Sequence, residues 1–184
     1  MLLALTAAIA LFAPAQGTTE FFIIRGENMS PRLEINQRVE FDLAAYADQA
    51  PEVGDIVLIH PPVGARNTRC GSPRTPRSDQ LCVKPRGGPD RSVRFVMRVV
   101  AVGGDRVRLH RGRVVRNGTL ETRKGIRRCP RGECTYRRAI TVPAGHVYVA
   151  GDNRWSSDDS RFWGALPVSQ VLGRYLRTAG TCGC

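Results

Sequence analysis

Lysine is nearly missing from this chain of 184 residues. It stands only at Lys84 and Lys124, and arginine supplies almost all of the positive charge. Aromatic residues make up only 7% and are not interleaved with the basic ones, which excludes a stacking platform for single-stranded nucleic acid. Zinc-finger spacing and any helix carrying a basic stripe are also lacking. The formal net charge of +12 therefore does not read as nucleic-acid binding. Genomic base composition is the plain source of such an arginine bias, and an anionic membrane surface is the functional one. No internal repeat occurs. Beyond the N-terminus there is no long apolar run, which excludes a multi-span membrane protein. Hydrophobic content of 42% and charged content of 24% exclude wholesale disorder.

Charge is absent before Glu20, and residues 2–15 are apolar or nearly so. A membrane-spanning helix needs about 20 apolar residues, with a lower range near 17, so residues 1–19 just reach the length of an anchor. The segment lacks a basic start. Ala13-Pro14-Ala15 also has the small-x-small pattern of a signal-peptide cleavage site, so a cleaved signal is an alternative, and a buried core helix is a third. Either of the first two readings puts residues 20–184 on the extracytoplasmic side. The six cysteines agree, since an even number in an exported chain reads as disulfides. Cys70–Cys82 and Cys129–Cys134 would close short loops. Cys182 and Cys184 could pair with each other only under strain. A zinc site needs clustered Cys and His ligands that these spacings do not supply, so no metal or other cofactor is expected.

The body reads as mainly β. Val- and Ile-rich runs predict strands over 21–24, 37–42, 56–60, 94–102, 106–110, 113–116 and 146–150, separated by Gly-Asp, Gly-Gly and Asn-Gly signals. Arg111-Gly112 lies between two of them and predicts a tight hairpin. Residues 61–92, rich in proline, glycine and arginine, read as a long disulfide-tethered insertion. Residues 121–138 read as a second. Helical pattern is weak, with a short turn expected over 156–160.

Polar residues crowd directly after the apolar strand that ends at Ala150. The stretch 142–164 reads VPAGHVYVAGDNRWSSDDSRFWG. Asp152, Asn153, Arg154, Asp159, Ser160 and Arg161 lie among Trp155, Phe162 and Trp163. Charges packed among aromatics must be paired, and Asp159 with Arg161 would form such a pair. Gly151-Asp152-Asn153-Arg154, Ser157, Asp159-Ser160-Arg161 and Gly164 together resemble the last signature of the bacterial type I signal peptidase family. Weaker boxes follow the family's order. Residues 25–33, RGENMSPRL, resemble its nucleophile box, and 53–57, VGDIV, the strand after it. Residues 95–107, FVMRVVAVGGDRV, resemble its base-bearing strand, and 115–118, VRNG, its hairpin.

The resemblance implies a signal-peptidase-type antiparallel β domain behind an N-terminal membrane helix. It also implies cleavage of exported preproteins after a small-x-small sequence, by a serine nucleophile and a lysine base. Gly26, Met29 and Pro31 would line the substrate cleft or oxyanion site. Ser157 would orient the base, and Asp152, Asn153, Arg154, Asp159, Ser160 and Arg161 would support the loop. The sequence departs at both chemical positions. The nucleophile position holds Asn28 and the base position Met97, and the usual threonine after the proline is Arg32. Methionine takes no proton, although it resembles lysine in length. Ser30 is the alternative nucleophile, but residues i and i+2 of an extended segment are about 6.6 Å apart. Some eukaryotic relatives use a histidine base. None of His60, His110 and His146 stands at the base position, and Lys84 and Lys124 fall in the expected insertions.

The resulting expectation is a protein that binds the cleavage region of signal peptides and is impaired in cutting them. One alternative is an active signal peptidase using a displaced nucleophile such as Ser30. A second is a non-enzymatic, membrane-anchored basic module. Expected partners are signal peptides and membrane lipid, with no nucleic acid.

Overall fold

The structure is a computed structural model that describes residues 18–73, 80–130 and 134–183. The strands in chain order are β1 (Thr19–Ile23), β2 (Gln37–Asp42), β3 (Ile56–Ile59), β4 (Thr68–Arg69), β5 (Ser72–Pro73), β6 (Phe95–Val102) and β7 (Arg106–His110). They continue with β8 (Arg113–Arg116), β9 (Thr119–Leu120), β10 (Tyr136–Thr141), β11 (His146–Ala150), β12 (Leu166–Pro167) and β13 (Val171–Thr181). A 3-10 turn covers Glu27–Met29, and one short helix, α1, covers Ser160–Trp163. The anchor expected over 1–19 falls, apart from Thr18 and Thr19, outside the described residues. Among the described residues no helix is long and apolar enough to cross a membrane.

The described strands form a seven-stranded antiparallel sheet ordered β1-β2-β13-β3-β6-β11-β12, a four-stranded sheet ordered β10-β7-β8-β9, and the hairpin β4-β5. Burial explains the order. β3 is buried at every position and β6 at six of eight, so both lie inside the large sheet with apolar packing on both faces. Alternation then splits β3 between two cores. Ile56 and Leu58 join Ile24, Met29, Leu33, Val39, Phe41 and Val96. Val57 and Ile59 join Met97, Val99, Val147, Val149, Trp163 and Leu166. A third core, around Val107, Leu109, Val114 and Tyr148, seals the small sheet onto β6 and β11.

The turns follow their residues. Arg111 and Gly112 both have positive φ, 51° and 76°, as do Asn117 and Gly118, 51° and 86°. Positive φ at both central residues matches the twist of two-residue hairpins. The disulfides Cys70–Cys82 and Cys129–Cys134 are formed, and Cys182 is also disulfide-bonded. Within 61–92 Cys70 sits in the turn of the short hairpin β4-β5 and is linked to Cys82. β10 begins at Tyr136, inside the stretch read as a second insertion.

Candidate functional site

Asn28 sits in the 3-10 turn that follows β1, and Met97 lies in the first half of β6. The fold brings them together across 69 positions of sequence. The Asn28 amide nitrogen donates to the Val96 carbonyl at 2.6 Å and stands 3.7 Å from the Met97 sulfur. The Ser157 hydroxyl is 4.0 Å from the same sulfur. Met97 is 1% exposed and packs on Val57, Val99 and Val149, whereas Asn28 and Ser157 are half-buried.

These three side chains line one cavity of about 430 Å³ with Gly26. Phe22, Ile24, Phe95, Trp155 and Phe162 supply its apolar walls, and Arg25, Glu27, Arg66, Arg94 and Asp158 line its polar side. No lysine or histidine lines it. Two strand edges flank it. Among the described strands β1 pairs only with β2. β6 pairs with β11 from Arg98 onward, which leaves Phe95–Met97 paired on the β3 side alone among the described strands. Such edges lack a neighbouring strand and present backbone groups to an extended chain, with the Val96 carbonyl held by Asn28.

The loop after β11 holds the site from behind. The Asn153 amide donates to the Asn28 carbonyl at 2.9 Å. A Cβ at Gly151 would collide with that carbonyl and with the Ser157 hydroxyl, so the close approach demands glycine. Ser157 Oγ donates to Asp159 Oδ2 at 2.7 Å and accepts from the Gly151 amide at 3.2 Å. Asp159 caps α1 and takes Arg161 Nε and Nη2 at 2.7 and 2.8 Å. Burial pushes the Asp159 carboxyl up. The Arg161 charge and its hydrogen bonds, with those from Ser157 and Gly151, outweigh this and hold it below its ordinary value. Arg161 is correspondingly raised: burial alone would lower it, and Asp159 reverses that. Ser160 Oγ receives the Val149 amide at 3.0 Å and ties α1 to β11.

Other residues singled out in the sequence lie elsewhere. Ser30 is 3% exposed, donates to Glu34 Oε1 at 3.0 Å and does not line the cavity. Met29 is fully buried in the core beneath β1 and β2. Pro31 and Arg32 line a second cavity, and Arg32 stacks on Tyr175.

Two ion pairs were not legible in the sequence. Arg98 grips Asp152 at 2.8 and 2.6 Å, and Arg154 grips Glu121 at 2.9 and 3.0 Å. In each case the partner is distant along the chain, and only the charge-rich loop itself was a signal. The cavity walls Phe22 and Phe95 were likewise hidden, because nothing marks them apart from ordinary strand residues.

Fold and site together define a mainly β, antiparallel protein with a cleft, part apolar and part charged, set between edges left open among the described strands. Comparison with known proteins then identifies it. The family model for "Signal peptidase, peptidase S26" matches residues 1–178. A probable signal peptidase I-1 of Synechocystis sp. is 33% identical over 153 residues, covering 83% of this chain and 67% of its own. A signal peptidase I of Leptolyngbya laminosa is 30% identical over 151 residues, covering 82% and 64%. The chain thus spans about two thirds of the length of these relatives. A crystal structure of a signal peptidase I from Enterococcus faecalis V583 covers 70% of this chain and 98% of its own, at 23% identity and TM-score 0.44. The chain belongs to the S26 signal peptidase family.

Proposed function

We propose that this protein binds the small-x-small region of exported preproteins in the Asn28–Met97 cleft and does not cut it, because neither residue can serve as nucleophile or base. The reading rests on one observation: Asn28, Met97 and Ser157 meet around a single sulfur, at 3.7 and 4.0 Å, inside one cavity. In an S26 chain that is the arrangement expected if serine and lysine have been exchanged for asparagine and methionine. The amide of Asn28 is not a useful nucleophile, and a thioether takes no proton. The cleft needs neither group to bind. An extended segment can add to the β1 and β6 edges, with small side chains directed into the cavity.

The displaced-nucleophile alternative fares worse. The Ser30 hydroxyl is engaged by Glu34 outside the cavity. In the same reading, residues 1–19 anchor the domain 20–184, with its insertions 61–92 and 121–138, on the extracytoplasmic side of the membrane.

Restoring the dyad tests the proposal. The wild type should bind an Ala-x-Ala peptide without cleaving it. Asn28→Ser combined with Met97→Lys should cleave it at near-neutral or alkaline pH, and neither single change should. Serine without a base stays a weak nucleophile, and groups that act as a unit are strongly non-additive. A lysine at the Met97 position would be buried, which lowers its pKa toward a base's working range. Cleavage by wild type that Ser30→Ala abolishes would make Ser30 the nucleophile. A folded double variant that binds peptide and stays inert would overturn the assignment of the two positions.

A further inference from the structure

Met97 and Arg98 are neighbours on β6, and side chains alternate between the faces of a strand. Met97 meets the peptide cleft. Arg98 instead lines a second cavity, of about 540 Å³, that shares no lining residue with the first. Arg32, Arg123, Lys124 and Arg174 join it there. Both lysines of the chain are scarce resources, and one of them is here.

Two carboxylates line this cavity against five cations. Asp152 holds Arg98, and Asp55 accepts from the Tyr46 hydroxyl at 2.8 Å and the Glu52 amide at 3.0 Å. Among the described residues, Arg32, Lys124 and Arg174 form no salt bridge, and Arg123 only a long one, 3.9 Å to Glu121. Burial and the neighbouring Arg98 and Arg154 hold the Arg123 guanidinium below its ordinary value. Like charges gathered around one cavity repel unless an anion sits among them.

We propose that this cavity is a binding site for a phosphate group. Arg98 forms its fixed floor, and Arg32, Arg123, Lys124 and Arg174 close on the anion. Arginine's planar fork matches phosphate oxygens in pairs, and lysine adds a point charge. The phosphate has two sources of the same chemistry, a lipid head group and free phosphate. Register favours the first. Thr19, where the chain leaves the apolar run of residues 2–15, pairs with Asp42, which pairs with Arg174. Adjacent strands are about 4.8 Å apart, so Arg174 lies two strands from Thr19, the last residue of the segment read as a membrane anchor. The inference goes beyond peptide binding and does not depend on it.

The test uses the full chain in neutral detergent at fixed ionic strength, titrated with inorganic phosphate by calorimetry. Arg123→Gln with Arg174→Gln should weaken binding by about tenfold or more, as expected for lost charge-assisted hydrogen bonds. Arg137→Gln with Arg138→Gln, on the far sheet, makes the same change in net charge and should leave binding intact. Lys124 is exposed, so Lys124→Gln gives a third variant that should also weaken binding without threatening the fold. Flotation with phosphatidylglycerol and phosphatidylcholine vesicles separates the sources. Loss of phosphatidylglycerol binding in the first pair alone means a lipid head group, and an effect on inorganic phosphate alone means a soluble ligand. Either supports the site. Absence of phosphate binding in the wild type, equal affinity in wild type, the Arg123/Arg174 pair and Lys124→Gln, or equal losses in both pairs, would overturn it.

Discussion

Asp159 is 0% exposed and Arg161 1%, and two charges so deeply buried are tolerable only as a hydrogen-bonded pair. Every oxygen of Asp159 is used: Arg161 takes both, and Ser157 and the Gly151 amide share one of them. The position of Ser157, and through it one wall of the cleft, therefore depends on the charge of Asp159. The folded carboxyl lies below its ordinary 3.8. A depressed acid contributes stability that is complete above the unfolded value and lost as pH falls through the folded one. The pair should thus hold unchanged from neutrality down to about pH 4 and fail only in stronger acid. Asp159→Asn should leave Arg161 buried and uncompensated, at a cost of about 3–5 kcal/mol. It should also flatten the acid limb of the stability curve. Urea unfolding of both proteins between neutral and acid pH measures this, and an equal acid limb in the variant would contradict it.

At the scale of elements, the site is a loop pressed against a turn. The segment Gly151–Arg154 reaches the Asn28 carbonyl, and glycine is what lets the two backbones meet. Gly151→Ala should force them apart at about 1–3 kcal/mol, the usual penalty of overfilling a packed place. It should also weaken peptide binding, because Asn28 and Ser157 would move. Gly118→Ala is the contrast. Its φ of 86° strains any side chain, but nothing lies within 4 Å, so it should lower stability and leave peptide affinity unchanged. Peptide titration of the two variants separates these outcomes. The same contrast shows what the sequence made legible. β3, β6, β7, β8 and β11 announced themselves by apolar runs or alternation, and the β7–β8 turn by Arg111-Gly112. β13, the longest strand, did not. Gly173, Arg174, Arg177 and Gly180 break its pattern, and most of its residues are half-exposed or exposed. It is a strand because β2 and β3 flank it, which is tertiary information. The ion pairs Arg98–Asp152 and Arg154–Glu121 were hidden for the same reason.

Across the whole molecule, the two described disulfides stand against the site loop and its helix. The Cys70 amide donates to the Phe162 carbonyl at 2.8 Å, and the Cys82 sulfur lies 3.0 Å from that oxygen, so this link holds Cys70 and Cys82 against α1. The Cys129 sulfur lies 3.3 Å from the Arg154 carbonyl, which also receives Arg161 at 2.7 Å. Neither link joins the strands of the large sheet. Their loss should therefore loosen the support of Trp155 and Ser157 before it unfolds the β body. Chain entropy ranks them: separations of 12 and 5 residues correspond to about 3 and about 2 kcal/mol. Packing reverses the functional order, because Cys129–Cys134 abuts the Arg154 carbonyl to which Arg161 also donates. Cys129→Ala with Cys134→Ala should cost less stability than Cys70→Ala with Cys82→Ala, yet reduce peptide affinity more. Calorimetric unfolding and peptide titration on the two double variants read both quantities. If stability and affinity fall in the same order, the Cys129–Cys134 link acts on the fold alone and has no separate hold on the cleft.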